Sequence, residues 1–315
     1  MHKITETGPA FCVCAGGLSV CLLYRVNLAT SLVTFAAAVL FILYCAFVLS
    51  KGGGSYADSH ALGVPVGLYS VICAAVSVTL SASLITDGGV MDKSFYPLMV
   101  LLTGLFAVCY GMSNRDGAVT VSFVTAAIGF GVLLVLMFLC VLRTGFEMLR
   151  FDAPDRKLLL LLTAFSVFDV AIVLPLLRGK PLMMLCGGLA AHLYGAVMTV
   201  LAVSVLTNKI FNDSSMPWMT LWRSTFITSF LNSFEILGIC AFFILNAVKA
   251  GIAVKTALDI FNTKYAVFVL LGIFAVSVLL TLFSGIFYAA AVLSVIFGLL
   301  APAFSLLIKY RKNRS

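Results

Sequence analysis

The sequence has very few charged residues for its length. Only 10% of its 315 residues are Asp, Glu, Lys or Arg, whereas 62% are hydrophobic and the mean hydropathy is +1.15. Soluble domains carry roughly 25% charged residues, and no soluble core of this size could hide so many apolar side chains. The sequence therefore predicts a membrane protein. The net charge of +8 comes from basic residues scattered between apolar runs, which suits membrane topology and anionic lipid rather than nucleic acid.

The sequence also lacks the patterns of common catalytic and metal-binding sites. Its nine cysteines include no Cys-x-x-Cys pair and all fall in apolar runs, where cysteine behaves as a small hydrophobic residue. The histidines His2, His60 and His192 are far apart in sequence. There is no phosphate loop and no nucleophile elbow. We therefore expect no enzyme activity, no cofactor and no metal.

Long apolar runs predict an all-α polytopic membrane protein that forms a single transmembrane domain over residues 1–315. A spanning helix needs about 20 apolar residues. Ten segments qualify, although the first and fourth are short, and the last two divide near Ser284-Gly285, where a tight turn is cheapest. The predicted helices are 9–24, 28–50, 64–86, 96–112, 118–142, 158–177, 181–206, 225–248, 265–285 and 287–308.

Ten helices place both termini on the same side of the membrane. With the N-terminus inside, the inner segments contain twelve basic residues, Lys249 and Lys255 among them, and the outer segments contain eight. The excess of inner basic residues predicts that both termini are cytoplasmic. The segment 143–157 is charged, and it is a candidate for a short interfacial helix.

Two acidic residues interrupt apolar runs, Asp169 in the sixth predicted helix and Glu235 in the eighth. A carboxylate in a bilayer is expensive, so such an acid usually faces the bundle interior or a watery cavity. Ser166 lies one turn before Asp169, and Pro175 follows it in the same helix. Asp169 is therefore either part of a ligand site or an acid that is neutralised or paired within the bundle.

Polar residues form a stripe on the eighth predicted helix. Ser224, Thr228, Asn232 and Glu235 are spaced i, i+4, i+8 and i+11, which places them on one helical face. Such a stripe either forms interhelical hydrogen bonds that fix packing or lines a polar cavity. A lipid-exposed or misassigned stripe is the third alternative.

The first predicted helix contains the adjacent glycines Gly16 and Gly17. A glycine pair weakens a helix, and many transporters build substrate sites from helices that are broken near the membrane midplane. Glycines also allow two helices to pack closely. Close packing is the preferred interpretation of this pair, and the sequence leaves open whether the helix is broken.

Several stretches, taken in order along the chain, resemble the spore germination permeases. These are the B-type subunits of nutrient germinant receptors, within the amino acid–polyamine–organocation superfamily. Residues 23–29 resemble the end of their first helix, and 110–112 resemble their Tyr-Gly-Leu turn. Residues 168–177 resemble their sixth helix with its acid and proline, 220–237 their eighth helix with its acid, and 298–314 their last helix and basic tail.

Four positions depart from the pattern of this family. Tyr24 stands where the family usually has Pro, and Phe168 stands where Gly often precedes the sixth-helix acid. That acid is Asp169 instead of the usual Glu, and Ser233 replaces a common Arg. The chain thus resembles a divergent member of the family.

The resemblance implies two inverted five-helix repeats with a ligand site between them. It further implies a subunit that senses a small amino-acid-like ligand during germination, and that works with an A-type membrane subunit and a C-type lipoprotein in the spore inner membrane. The candidate ligand-binding residues are Gly16, Gly17, Ser166 and Asp169, and Glu235 and Asn232 are candidates for gating or proton coupling. The alternatives are a proton-coupled amino acid transporter and a structural or assembly protein without a ligand.

Overall fold

The computed structural model describes residues 5–56, 60–142, 152–177, 179–206, 210–211, 214–224 and 234–312. All regular secondary structure in these ranges is helical. Nine of the described helices are long and apolar enough to cross a membrane, and the shorter apolar stretch Thr7–Leu23 precedes them. The protein is therefore a polytopic all-α membrane protein, which confirms the predicted fold class.

The helices are numbered in chain order, and two short 3-10 turns, Lys93–Phe95 and Thr263–Tyr265, precede α5 and α12. The helices are α1 Thr7–Gly17, α2 Val20–Leu23, α3 Leu28–Ser50, α4 His60–Asp87, α5 Tyr96–Met112, α6 Arg115–Val141, α7 Arg156–Ser166, α8 Leu174–Leu177, α9 Pro181–Val205, α10 Pro217–Ser224, α11 Phe234–Phe261, α12 Ala266–Leu282 and α13 Ser284–Lys312. A longer 3-10 segment, Phe168–Val173, joins α7 to α8.

Local signals account for several helix ends. The Asn27 side chain accepts a hydrogen bond from the Thr30 amide at 2.8 Å at the start of α3, and Asn114 does the same for Gly117 at the start of α6. Asp155 caps α7 in the same manner. Such caps satisfy amides that have no partner within the helix. The observed α3 and α5 have the predicted bounds, and the last two helices separate at Phe283.

The eighth predicted helix, 225–248, has the wrong C-terminal end. The observed α11 continues to Phe261, so Lys249 and Lys255 lie inside a helix and not in a loop. The Lys255–Asp259 ion pair, one turn apart, supports the extension. Asn262, which has a φ of 83°, follows the helix, and its side chain accepts a hydrogen bond from the Lys264 amide. The predicted loop 207–223 also contains the start of α10.

The centre of the protein is the pair α4 and α11, which pack along most of their length, with α1 and α5 also against α11. Ser70, Ser77 and Ser81 of α4 are buried, and each hydroxyl bonds to a carbonyl of its own helix. These serines therefore allow close packing without needing partners on other helices. Large apolar side chains such as Phe138 and Phe268 are exposed on the outer helices, where lipid is the solvent.

Candidate functional site

The first and sixth predicted helices are both interrupted, and the two interruptions meet. The first helix stops at Gly17 and resumes at Val20, and the sixth stops at Ser166, where the 3-10 segment follows. A Cβ atom at Gly17 would overlap the carbonyl group of Phe165 and the Cα of Ser166. The glycine pair thus lies at a helix break and also permits close packing, so the two interpretations of it are compatible.

Phe168 stands where the sixth helix changes from an α-helix to a 3-10 segment. The facing helix α13 makes room for its side chain. A Cβ atom at Gly298 would lie 2.7 Å from the Phe168 Cβ, and the Phe168 ring packs edge-on against Phe41 with centroids 4.8 Å apart. The absence of a side chain at Gly298 therefore allows α13 to pack closely against Phe168.

A buried ion pair lies beside this junction. Asp169 Oδ2 is 2.7 Å from Lys249 Nζ, and both side chains are fully buried. Tyr69 of α4 donates its hydroxyl to the other carboxylate oxygen at 2.6 Å, and Lys249 also donates to the Phe165 carbonyl at 2.6 Å. A buried charge needs such partners because desolvation is expensive. Asp169 is therefore paired within the bundle, and the pair joins three helical segments.

The break in the first helix is connected to α11 by one further contact. Asn246, one turn before Lys249, donates its side-chain amide to the Ser19 hydroxyl at 2.7 Å. The side-chain oxygen Oδ1 of Asn246 is buried and accepts no hydrogen bond from the described residues. A Cβ atom at Gly16 would lie 3.0 Å from this oxygen. The Asn246 Oδ1 acceptor therefore lies beside the interrupted helices that also hold the Asp169–Lys249 pair.

Side chains from other segments satisfy carbonyl groups in and around the 3-10 segment of the sixth helix. Unpaired backbone groups are not tolerated at membrane depth unless protein or water satisfies them. Five carbonyls have a partner from elsewhere in the chain: Phe165 O accepts from Lys249, Ser166 O from His192 Nε2 at 3.1 Å, Ala171 O from Tyr56 at 2.8 Å, Ile172 O from Thr256 at 2.9 Å, and Leu176 O from Arg115 Nε at 2.9 Å. Specific contacts therefore hold carbonyl groups before, within and after the 3-10 segment.

The predicted site residues fall into two groups. Gly16, Gly17, Ser166 and Asp169 lie together at the junction, although the Ser166 hydroxyl bonds to Leu162 O of its own helix. Glu235 lies outside this junction. Asn232 and Thr228 are outside the described residues.

Glu235 lies away from the junction, and its side chain is 14% exposed. Glu235 is in the first turn of α11 and pairs with Arg223 at 3.4 Å. Fourteen residues separate it from Lys249, which is about 21 Å along a helix. Ser224 ends α10 and Glu235 is the second residue of α11, so these two members of the polar stripe belong to different helices.

Sequence reasoning missed Lys249, Tyr69, Asn246 and the role of His192. The predicted helix bounds place Lys249 in an inner segment, between the eighth and ninth predicted helices. The signal that identifies it is the apolar sequence on both sides, which continues to Val254. A lysine inside such a run needs a buried acid, and Asp169 is one of the few available.

A cavity of about 720 Å³, here called the vestibule, opens where α2 and α4 end and α7 and α13 begin. These ends lie opposite the first residue of α1 and the last of α13. Tyr24 lies at its rim, and the pKa of its phenol is raised by burial first, then by Tyr288 and Asp87, so the hydroxyl is protonated and can donate. Phe287 lines the vestibule and packs edge-on against Phe165, with centroids 5.2 Å apart.

Charged side chains join helices at the end of the protein where α1 begins, opposite the vestibule. Glu6 pairs with Arg115 at 3.3 Å and with Lys180 at 2.9 Å. Arg115 also holds the Leu176 carbonyl at the end of the sixth helix. This group, called the Glu6 cluster, connects the beginnings of α1, α6 and α9. The ion pair of Asp169 therefore lies between the Glu6 cluster and the vestibule.

The sequence matches no protein-family model and no curated protein.

Proposed function

We propose that the chain is the transporter-fold subunit of a spore nutrient germinant receptor, and that it binds a small amino-acid-like ligand at the Asp169–Lys249 pair. The observation that carries the proposal is the meeting of two interrupted helices at a buried ion pair. The interruptions lie in the first and sixth predicted helices, five helices apart. Two inverted five-helix repeats would produce this spacing, and transporters bind substrates at such breaks.

The ion pair has the charges that an amino acid carries. The ammonium group of a ligand would take the place of Lys249 at Asp169 and the Phe165 carbonyl, and its carboxylate would pair with Lys249. A buried ion pair contributes little net stability because desolvation offsets the attraction. Replacing the Asp169–Lys249 pair by one ligand pair at each residue therefore costs little free energy. A ligand that prefers the rearranged state shifts the population toward it, and this shift is the signal that the subunit would pass on.

The proposed partners are an A-type membrane subunit and a C-type lipoprotein in the spore inner membrane, and they follow from the sequence resemblance. We also propose that both termini are cytoplasmic. With Lys249 and Lys255 placed inside α11, the inner segments still carry ten basic residues against eight. Copurification from spores with both partner types tests the assembly. Protease access to tags at each end of the chain tests the orientation.

The binding proposal is tested by the thermal stability of the purified protein with an amino-acid panel. A ligand that binds the folded state raises Tm. The test variant is Asp169→Asn with Lys249→Met, which removes both charges together and leaves neither unpaired. The matched control is Lys255→Met with Asp259→Asn, which removes an ion pair formed within the same helix.

We expect the ligand-induced rise in Tm to fall by more than half in the Asp169/Lys249 variant and to persist in the Lys255/Asp259 variant. The ligand-free Tm of each variant establishes that it is folded. An unchanged ligand response in the folded Asp169/Lys249 variant contradicts binding at the ion pair. Absence of any response in the wild type, tested with its partners present, contradicts the sensing function.

A proton-coupled amino acid transporter is the second candidate. It is favoured by the position of the ion pair between two closed ends, the Phe165–Phe287 contact and the Glu6 cluster, because transport requires access to alternate between the two sides. Counterflow of labelled amino acid in proteoliposomes separates the candidates. Rapid exchange without partners supports a transporter, and ligand binding without exchange supports a receptor subunit.

A further inference from the structure

The vestibule contains chemistry that the ion pair of Asp169 does not use. At its mouth, Asp87 and Lys93 pair at 3.4 Å, and Lys93 is largely exposed. An exposed ion pair contributes little to stability, so both groups are available to a ligand. Opposite charges at this spacing can receive the ammonium and the carboxylate of a zwitterion.

The deeper walls of the vestibule are mainly apolar. Leu80, Leu161, Leu280 and Phe287 form a surface against which an apolar side chain can pack. The cavity volume of about 720 Å³ is within the usual range of small-molecule sites, which combine an apolar lining with a few polar groups. The size and the lining therefore suit a ligand with a bulky apolar part.

One buried polar group in the vestibule wall lacks a partner. Thr79 is 6% exposed, and its hydroxyl forms no hydrogen bond with the described residues. Buried hydroxyl groups are normally hydrogen-bonded because an unmade bond is costly. The Thr79 hydroxyl is therefore available to a polar atom of a molecule in the vestibule.

We infer that the vestibule is an outer binding site, separate from the Asp169–Lys249 pair, for an amino acid with a bulky apolar side chain. The ammonium group lies at Asp87, the carboxylate at Lys93, and the side chain against Leu80 and Phe287. The Phe165–Phe287 contact divides this site from the ion pair. The inference adds to the proposed function without depending on it, because it is drawn from the vestibule residues alone.

The outer site is tested by protection of a cysteine placed in its wall. Ser83 lines the vestibule and is half-buried. Ser83→Cys is labelled in the full-length protein in nanodiscs with a water-soluble maleimide, and the wild type gives the background from the native cysteines. L-leucine and L-phenylalanine are the probes, and glycine is the control without an apolar side chain. Ser113→Cys, half-buried at the end of α5 away from the vestibule, is the control variant.

We expect leucine or phenylalanine to slow labelling of Ser83→Cys by at least about fivefold at saturation, since an occupied site excludes the reagent. Glycine should have little effect, and Ser113→Cys should be unaffected.

The same measurement in the Asp169→Asn/Lys249→Met background separates this inference from the proposed function. Protection that persists there supports the outer site, even if ligand binding at the ion pair fails its own test. Protection that disappears there places the ligand at the ion pair and overturns the outer site. Failure of both probes to protect Ser83→Cys, or failure of the reagent to reach it, also overturns the inference.

Discussion

Gly17 lies directly against the carbonyl group of Phe165, with no room for a side chain between them. The same carbonyl accepts a hydrogen bond from Lys249, whose ammonium group pairs with Asp169. The close approach of two helix breaks therefore determines where the ion pair forms. The packing role and the functional role of the glycine depend on the same contact.

Gly17→Ala should destabilise the protein strongly. The added Cβ would overlap backbone atoms of Phe165 and Ser166, which cannot move as a side chain end can. Overpacking of this kind typically costs about 1–3 kcal/mol, and here it would also separate the Phe165 carbonyl from Lys249. We expect a lower Tm in detergent and loss of the ligand-induced rise in Tm.

Gly131→Ala is the matched control for this substitution. Gly131 lies inside the long helix α6, and a Cβ there would meet no neighbouring atom within 4 Å. Alanine is a better helix former than glycine by about 1 kcal/mol, so Tm should stay the same or rise. An equal decrease in Tm in Gly17→Ala and Gly131→Ala would mean that the contact between Gly17 and Phe165 has no special importance.

The Asp169–Lys249 pair predicts strong non-additivity. Lys249→Met alone leaves the Asp169 carboxylate buried without its ammonium partner, and breaking a buried pair in this way typically costs about 3–5 kcal/mol. The variant that also carries Asp169→Asn should recover most of that loss. A double-mutant cycle on unfolding free energies measures the coupling. Additive single losses would show that the two charges do not interact.

The ends of α3 and α5 were predictable from the sequence because their signals are local. Asn27 caps α3, and Pro97 occupies an early position of α5 where its missing amide costs nothing. The ion pair was not predictable in the same way. Asp169 and Lys249 are 80 residues apart, and hydropathy alone does not distinguish a buried lysine from one that ends a span. The break beside Phe168 depends on Gly298 in another helix, which no local pattern of the sixth helix contains.

Thr256→Val should lower the stability of the 3-10 segment Phe168–Val173. The substitution keeps the shape of the side chain but removes the hydroxyl that donates to the Ile172 carbonyl. A buried carbonyl that loses its donor costs about 1–3 kcal/mol. Equilibrium unfolding in a mixed detergent measures the loss, and hydrogen exchange should rise in the segment Phe168–Val173.

Thr199→Val provides the comparison for Thr256→Val. Both threonines are buried, but the Thr199 hydroxyl bonds only to Gly195 O of its own helix. Loss of such a back-bond is expected to change stability by less than about 0.5 kcal/mol. If both valine variants lose the same stability, the cost comes from replacing a hydroxyl in the core and not from the Ile172 contact.

Glu235→Gln tests whether the acid at the start of α11 tunes the response to ligand. Its partner Arg223 is exposed and 3.4 Å away, and pairs of this type are worth about 0–1 kcal/mol, so Tm should change little. Glu235 lies in the first turn of α11, the helix that carries Lys249. A change of charge at the start of α11 can therefore bias the balance between two states of that helix. We expect a shifted ligand concentration for half-maximal response in germinating spores, with normal membrane insertion. A response that matches the wild type at every ligand concentration would restrict Glu235 to a structural role at the helix end.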